Sequence, residues 1–119
     1  MSDDRLADFG ASRKALQLFD LVVEDTGQYL TTPRCERLAS QQIASADSVC
    51  SNIEEGYGRE STAEYVRFLI IARGSLRETK GRYERMHHWI PPEIIRQRVA
   101  LAVEVNRMLT ATINHLRRK

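Results

Sequence analysis

The spacing of apolar residues between positions 65 and 86 is the feature that most constrains the fold. Seven residues recur there at intervals of three or four, as one buried face of a long helix requires. They are Tyr65, Phe68, Ala72, Leu76, Thr79, Tyr83 and Met86. A helix start lies just before them, because Ser61 and Glu64 have the S-x-x-E spacing of a capping box with Ser61 as the N-cap.

Three other segments show helical periodicity, and strand signals are scarce. We predict helices over residues 12–30, residues 33–55 and from residue 92 onwards, with prolines at the start of the second and of the last. In the first of these helices, the predicted inward residues are Leu16, Phe19, Val23, Thr26 and Leu30. In the second they are Cys35, Leu38 or Ala39, Gln42, Ala46, Val49 and Ile53. In the last they are Ile94 or Ile95, Arg98, Leu101 or Ala102, Val105, Met108 or Leu109, Thr112 and Leu116.

Four amphipathic helices joined by short connections predict an all-α fold, an antiparallel up-down-up-down four-helix bundle. The 119 residues suffice for one domain with one core, which we place at residues 11–119 after a poorly ordered tail at residues 1–10. No apolar run approaches the roughly 20 residues of a membrane span. The acidic start does not resemble a signal peptide, so we expect a cytoplasmic protein.

Residue patterns for catalysis or metal binding are sparse. On one helix, Cys35 and Cys50 would lie roughly 22 Å apart along the axis, too far for a disulfide. Glu84 and His87 form a single E-x-x-H motif, whereas a di-iron bundle uses two. We therefore expect no cofactor, no metal and no enzymatic activity. A metal-dependent enzyme with iron or manganese near Glu84 and His87 is the weakest of three hypotheses about the function.

The stretch "NIEEGYGREST" at residues 52–62 is either a phosphate-binding loop or a turn between helices. It lacks the spacing of a P-loop and of the G-x-G-x-x-G fingerprint, and no strand precedes it. Gly56 follows a helical pattern, where a left-handed C-cap is expected. Gly58 and Arg59 then lead to the cap at Ser61. A helix-to-helix turn is the better interpretation.

Two glycines interrupt the predicted third helix. Gly74 and Gly81 are seven residues apart and so lie on nearly one face, and each weakens a helix interior by about 1 kcal/mol relative to alanine. A close helix–helix crossing explains them, and so does a contact between subunits. Val66 and Ile70 extend an apolar strip towards Gly74, away from the main face. This second strip predicts self-association.

Charge is distributed unevenly along the chain. Residues 1–60 contain 6 Lys/Arg against 11 Asp/Glu, and residues 61–119 contain 12 against 5. The asymmetry indicates either a basic face for nucleic acid or two halves that attract each other within or between subunits. The third helix is rich in basic residues, and Arg73, Arg77 and Lys80 share one of its faces. With Arg67, they are the residues we expect to contact phosphates if the chain binds nucleic acid.

The segments "SADSVCSNIEEGYGREST" and "EYVRFLIIARGSLRET" resemble the central signature of a known family. It is the four-helix-bundle family of the 23S ribosomal RNA intervening-sequence protein. The matching positions are Gln42, Ala46, Ser48, Asn52, Ile53, Glu55, Gly56, Gly58, Arg59, Arg67, Phe68, Leu69, Ile71, Ala72, Gly74, Ser75, Leu76 and Glu78. Within this signature, the residues assigned to the turn as structural are Asn52, Glu55, Gly56, Gly58, Arg59 and Ser61. We interpret Asn52, Glu55 and Arg59 as a hydrogen-bonded network that fixes the turn.

The resemblance implies a left-handed antiparallel bundle that assembles into a ring-like homopentamer. Related accessory proteins of diversity-generating retroelements bind nucleic acid and a reverse transcriptase, which implies an association with RNA or DNA. This chain departs from the family pattern in three places. It has Ala44-Ser45 in place of two arginines, Glu54 in place of alanine and Thr79 in place of leucine. The first two departures make the chain less positive, which weakens the expectation of nucleic-acid binding.

Two hypotheses about function remain. The first is a non-enzymatic, homo-oligomeric bundle that binds RNA or DNA through its basic second half. The second is a protein-interaction scaffold without nucleic-acid binding, in which the uneven charge serves contacts between subunits.

Overall fold

A computed structural model describes residues 9–118, and four long helices contain most of them. They are α1 (Gly10–Tyr29), α2 (Glu36–Tyr57), α3 (Thr62–Arg85) and α4 (Pro92–Arg117). Short 3₁₀ turns at Pro33–Cys35 and Met86–His88 precede α2 and follow α3. The predicted all-α bundle of four helices is confirmed, and the described part of the chain contains no strand. Most of the predicted tail at residues 1–10 lies outside the described residues.

The helix boundaries agree with the sequence signals to within three residues. The Ser61 hydroxyl accepts a hydrogen bond from the backbone N–H of Glu64 at 3.2 Å, so the predicted N-cap of α3 is confirmed. Helix α4 begins with Pro92 directly after Pro91, as the proline pair predicts. Just before α2, the Thr32 hydroxyl donates to the Cys35 sulfur at 3.3 Å.

Each helix packs against two others, α1 and α3 both lying between α2 and α4, and the core fills the space among them. Predicted inward positions of the second helical segment are confirmed at Cys35, in the 3₁₀ turn, and at Gln42, Ala46, Val49 and Ile53 of α2, all of which are buried. In α4, Leu101, Ala102, Val105 and Leu109 are buried. Ile113 is buried as well, although Thr112 was predicted in its place.

The predicted inward face of the first helical segment is confirmed at Thr26 and Leu30 but is wrong by about one residue at Leu16 and Val23. Leu16 and Val23 are exposed, whereas the buried positions are Ala11, Ala15, Leu18, Val22, Asp25, Thr26 and Leu30. Alanines at the start of α1 reach the core because their small side chains suit a close approach between helices. A buried carboxylate was not anticipated at Asp25, since charged residues are rarely fully buried without a partner.

The inward face of α3 begins one residue later than predicted. Val66 and Leu69 are buried, while Tyr65 and Phe68 are half-buried. From Ala72 onwards, the predicted face is correct, and Leu76, Thr79, Tyr83 and Met86 are all buried. Val66 is therefore part of the core of its own bundle. Of the two residues assigned to the second apolar strip, Ile70 is the exposed one.

A buried ionic cluster joins α1, α3 and α4 through Asp25, which is 2% exposed. Arg98 donates from Nε and Nη2 to the two carboxylate oxygens of Asp25, at 2.8 and 3.1 Å. The Tyr83 hydroxyl donates to Oδ2 of Asp25 at 2.7 Å. Burial, reinforced by the Asp25 carboxylate, raises the pKa of Tyr83 far above its ordinary value, so the phenol stays neutral and keeps donating. Hydrogen bonds to Asp25 raise the pKa of Arg98, which stays charged.

Candidate nucleic-acid interface

Three of the predicted basic residues lie together along the side of α3 that borders α4. Arg73 donates from Nη1 to the Thr110 hydroxyl of α4 at 3.1 Å. Arg77 and Lys80 line a surface cavity between the two helices. Lys80 lies 3.7 Å from the exposed carboxylate of Glu84, a pair that water screens. Within residues 9–118, Arg77 has no ion-pair or hydrogen-bond partner, so its charge is available to a ligand.

The structure does not bring Arg67 to this face. It lies six residues before Arg73, which corresponds to roughly 9 Å along the axis and roughly 120° around the helix. Its guanidinium lies 5.4 Å from the ring centre of Phe68, near the turn between α2 and α3. Arg67 and the group of Arg73, Arg77 and Lys80 are therefore separate positive regions.

Arg82, also on α3, faces α2 and is tied to the protein itself. Its Nη1 donates to the Gln42 side-chain oxygen and to the Ser45 hydroxyl, both at 2.9 Å. Burial lowers the pKa of Arg82, but a guanidinium remains charged in proteins. This arginine therefore contributes to helix packing more directly than to a surface for phosphates.

A row of polar side chains, which we call the polar seam, joins α2 to α3 around Arg82. Gln42 donates to the Thr79 carbonyl at 2.9 Å, and the Ser45 and Thr79 hydroxyls share a hydrogen bond at 2.7 Å. Further along, the Ser48 and Ser75 hydroxyls lie 2.7 Å apart. Sequence reasoning placed Gln42 and Thr79 inward but did not foresee this seam. A polar residue at an inward position was the available signal, because buried polar groups need partners.

The turn between α2 and α3 is held by a close approach and not by a left-handed glycine. Gly56 is buried in the last turn of α2, and no described residue has a left-handed backbone, so the predicted C-cap conformation is wrong. A Cβ atom at Gly56 would lie 2.9 Å from the Cβ of Phe68 and 3.1 Å from the Tyr65 ring. Glycine is needed there because α3 crosses α2 at that point.

Charged and polar residues of the family signature surround this turn. Arg59 forms an ion pair with Glu55, and its guanidinium lies 4.9 Å from the ring centre of Phe68. The Asn52 amide instead donates to the carbonyl and hydroxyl of Ser48, one helical turn earlier, at 2.8 and 3.0 Å. The structure thus brings Glu55 and Arg59 together and places Asn52 in the polar seam.

Among residues 9–118, no other helix comes close to the two glycines inside α3. A Cβ atom at Gly74 would meet nothing within 4 Å, and one at Gly81 would meet only the Arg85 guanidinium at 3.6 Å. A close crossing within the bundle therefore does not explain them, and the subunit contact stays a prediction. Several large apolar side chains are exposed on the same molecule. They are Leu16, Val23, Ile70, Ile71 and Val103.

Other candidate chemistry finds little support in the described residues. His87 and His88 are exposed in the 3₁₀ turn after α3, and no group of three His, Cys, Asp or Glu residues within 9–118 is placed to hold a metal ion. Both cysteines are free, and burial raises the pKa of Cys50 to about 11, so that thiol is protonated at neutral pH. None of the described helices combines the length and apolarity needed to cross a membrane.

Comparisons with known proteins agree with this architecture. The profile of the family described as 23S rRNA-intervening sequence protein matches residues 7–111. A crystal structure of a protein of unknown function from the S23 ribosomal protein family of Bacteroides thetaiotaomicron superposes with a TM-score of 0.76. The alignment covers 87% of this chain and 97% of the other, and 21% of the aligned residues are identical. The TM-score shows that the two proteins share a fold. Among curated proteins, none matches this chain.

Proposed function

This chain belongs to the family of 23S rRNA-intervening sequence proteins, and from that premise we propose that it is a non-enzymatic, cytoplasmic, self-associating bundle that binds RNA or DNA. Arg73, Arg77 and Lys80 on α3 are the proposed contacts to phosphates. The observation that carries the proposal is their shared face, in which Arg77 has no partner in the described part of the chain.

Such a face is suited to binding the sugar-phosphate backbone and not to recognising a particular base sequence. Arginine and lysine side chains bind phosphate oxygens and release condensed counterions, so affinity falls steeply as salt rises. Phosphate contacts position a protein on nucleic acid but carry little sequence information. The proposed activity is therefore weakly selective for sequence and sensitive to ionic strength.

We expect the triple substitution Arg73→Ala, Arg77→Ala and Lys80→Ala to weaken binding of generic RNA and DNA roughly tenfold or more at low salt. The salt dependence should also become shallower, since about three phosphate contacts are lost. Fluorescence anisotropy titrations over a range of salt concentrations measure both effects.

A matched control removes the same charge elsewhere, through Arg34→Ala, Arg37→Ala and Arg96→Ala, all at exposed positions. The control should retain most of the affinity. Equal losses in the two triple variants would mean that net charge, not this face, governs binding. Absence of any binding by the unmodified protein at low salt would overturn the nucleic-acid proposal and favour the protein-interaction scaffold.

For assembly, we propose an antiparallel up-down-up-down bundle that forms a ring-like homopentamer. Contacts between neighbouring helices pair early residues of one with late residues of the other, as in Gln42 of α2 with Arg82 of α3 and Arg98 of α4 with Asp25 of α1. The exposed Ile70 and Ile71, 38% and 40% accessible, lie beside Gly74, which has open space around it. An apolar strip with a glycine suits a helix from another subunit.

We expect light scattering at micromolar concentration to give a mass five times that of the chain, and Ile70→Glu to shift it to smaller species. A carboxylate buried without a partner opposes association. Ala63→Glu places the same charge at an exposed position in the first turn of α3 and should leave the mass unchanged. A monomeric unmodified protein would contradict the proposed assembly and would also count against the scaffold alternative.

A further inference from the structure

The cavity between α3 and α4 combines an apolar floor with a basic rim. Its volume is about 240 Å³. Leu76 and Ala102 form the floor and are almost fully buried, whereas Val103 is 39% exposed. Arg77 and Lys80 stand on the α3 side of the opening. An occupant that satisfies both parts needs a compact apolar body attached to an anion.

A single polar group of α4, the Asn106 side chain, also lines the cavity. Within the described residues, nothing hydrogen-bonds to this amide. An asparagine amide offers a donor and an acceptor side by side, the arrangement that pairs with the edge of a nucleobase. Asn106 thus supplies hydrogen bonds next to the apolar floor, where a flat heterocycle would present its edge.

The size of the cavity limits which form of nucleic acid fits. Pockets for drug-sized ligands usually span about 300–1,000 Å³, so this smaller cavity suits one base and not a stack of them. Bases within a duplex are paired and stacked, and only an unpaired base is free to enter a protein pocket. The basic face on α3 lies at the opening, where the phosphate next to such a base would be.

We propose that the α3/α4 cavity binds one unpaired nucleotide of a single strand, with its base on Leu76, Ala102 and Val103, its edge at Asn106 and its phosphate on Arg77 and Lys80. This inference rests on the proposed nucleic-acid binding and specifies the form of nucleic acid that is bound. It also opposes a purely electrostatic expectation, because a duplex carries the higher charge density and attracts a basic surface more strongly.

The test uses the full chain, a short single-stranded RNA of mixed sequence and the same RNA annealed to its complement. The single strand should bind more tightly than the duplex. Asn106→Leu removes the amide and fills part of the cavity from an exposed position on α4. It should weaken single-strand binding about tenfold, the loss of one good base-edge contact, and leave duplex binding unchanged. The matched control Asn114→Leu, also exposed on α4, should change neither.

The possible outcomes separate this inference from the function on which it rests. Equal affinity for the two RNAs, or an Asn106→Leu effect that is absent or the same for both, would overturn the cavity assignment while leaving phosphate binding intact. If neither RNA binds the unmodified protein at low salt, nucleic-acid binding itself is wrong, and the cavity assignment is wrong with it.

Discussion

Replacing Asp25 by alanine should lower the free energy of unfolding by about 3 kcal/mol, the largest single effect that we expect. Asp25 is 2% exposed and receives three hydrogen bonds, one from Tyr83 and two from Arg98. Removing Asp25 leaves the Arg98 guanidinium without its carboxylate, although the Arg98 side chain is only 11% exposed. It also leaves the buried Tyr83 phenol without an acceptor. The midpoint of thermal unfolding, followed by circular dichroism, should fall by roughly 10 °C.

The exposed ion pair between Lys14 and Glu104 provides the control, since it also links α1 to α4. Its atoms lie 3.4 Å apart, and the side chains are 39% and 45% exposed. Lys14→Ala should cost less than about 1 kcal/mol because water already solvates both charges. If Asp25→Ala and Lys14→Ala proved equally mild, the buried cluster would not be a major source of stability.

Gly56→Ala should destabilise the protein by about 2 kcal/mol, although alanine is the better helix former. The new methyl group would lie 2.9 Å from the Cβ of Phe68 and 3.3 Å from the backbone oxygen of Tyr65, and both atoms belong to α3, which packs against α2. Urea unfolding at equilibrium measures the change as a lower transition midpoint with an unchanged slope.

Gly27→Ala is the matched control for that substitution. Gly27 also lies within a helix, but a Cβ atom there would have nothing within 4 Å. Alanine should therefore stabilise the protein by up to about 1 kcal/mol through its helix propensity. The two glycine substitutions should shift the midpoint in opposite directions. A Gly56→Ala protein as stable as the parent would show that α2 and α3 separate easily at the turn.

The elements that local chemistry specifies were predictable from the sequence. The cap at Ser61 and the proline pair before α4 depend on residues only a few positions apart, and both were found as expected. The prediction of the inward face of α1 failed at Leu16 and Val23 because their apolar periodicity competed with a less apolar face that contains Ala15 and Asp25. Within that second face, the buried carboxylate of Asp25 is paired with Arg98, which lies 73 residues further along the chain.

The candidate interface was predictable in the same partial way. Helical spacing placed Arg73, Arg77 and Lys80 together because all three lie on one helix. Spacing along α3 does not reveal which neighbour a side chain meets, so the different surroundings of Arg82, which turns to α2, were not visible. The cavity with Asn106 depends on how α3 lies against α4, a relation that the periodicity of each helix alone does not contain.

The hydrogen bond between Ser45 and Thr79 has a consequence for how this sequence can change over evolutionary time. A leucine at position 79 alone would remove the shortest of three hydrogen bonds of Ser45, which would keep the Gln42 carbonyl and Arg82 as partners but face an apolar side chain. Losing one partner of a buried hydrogen bond is costly, whereas replacing both by apolar groups of suitable shape can be nearly neutral. We therefore expect residues 45 and 79 to be substituted together in proteins that descend from this one, so that the two positions covary.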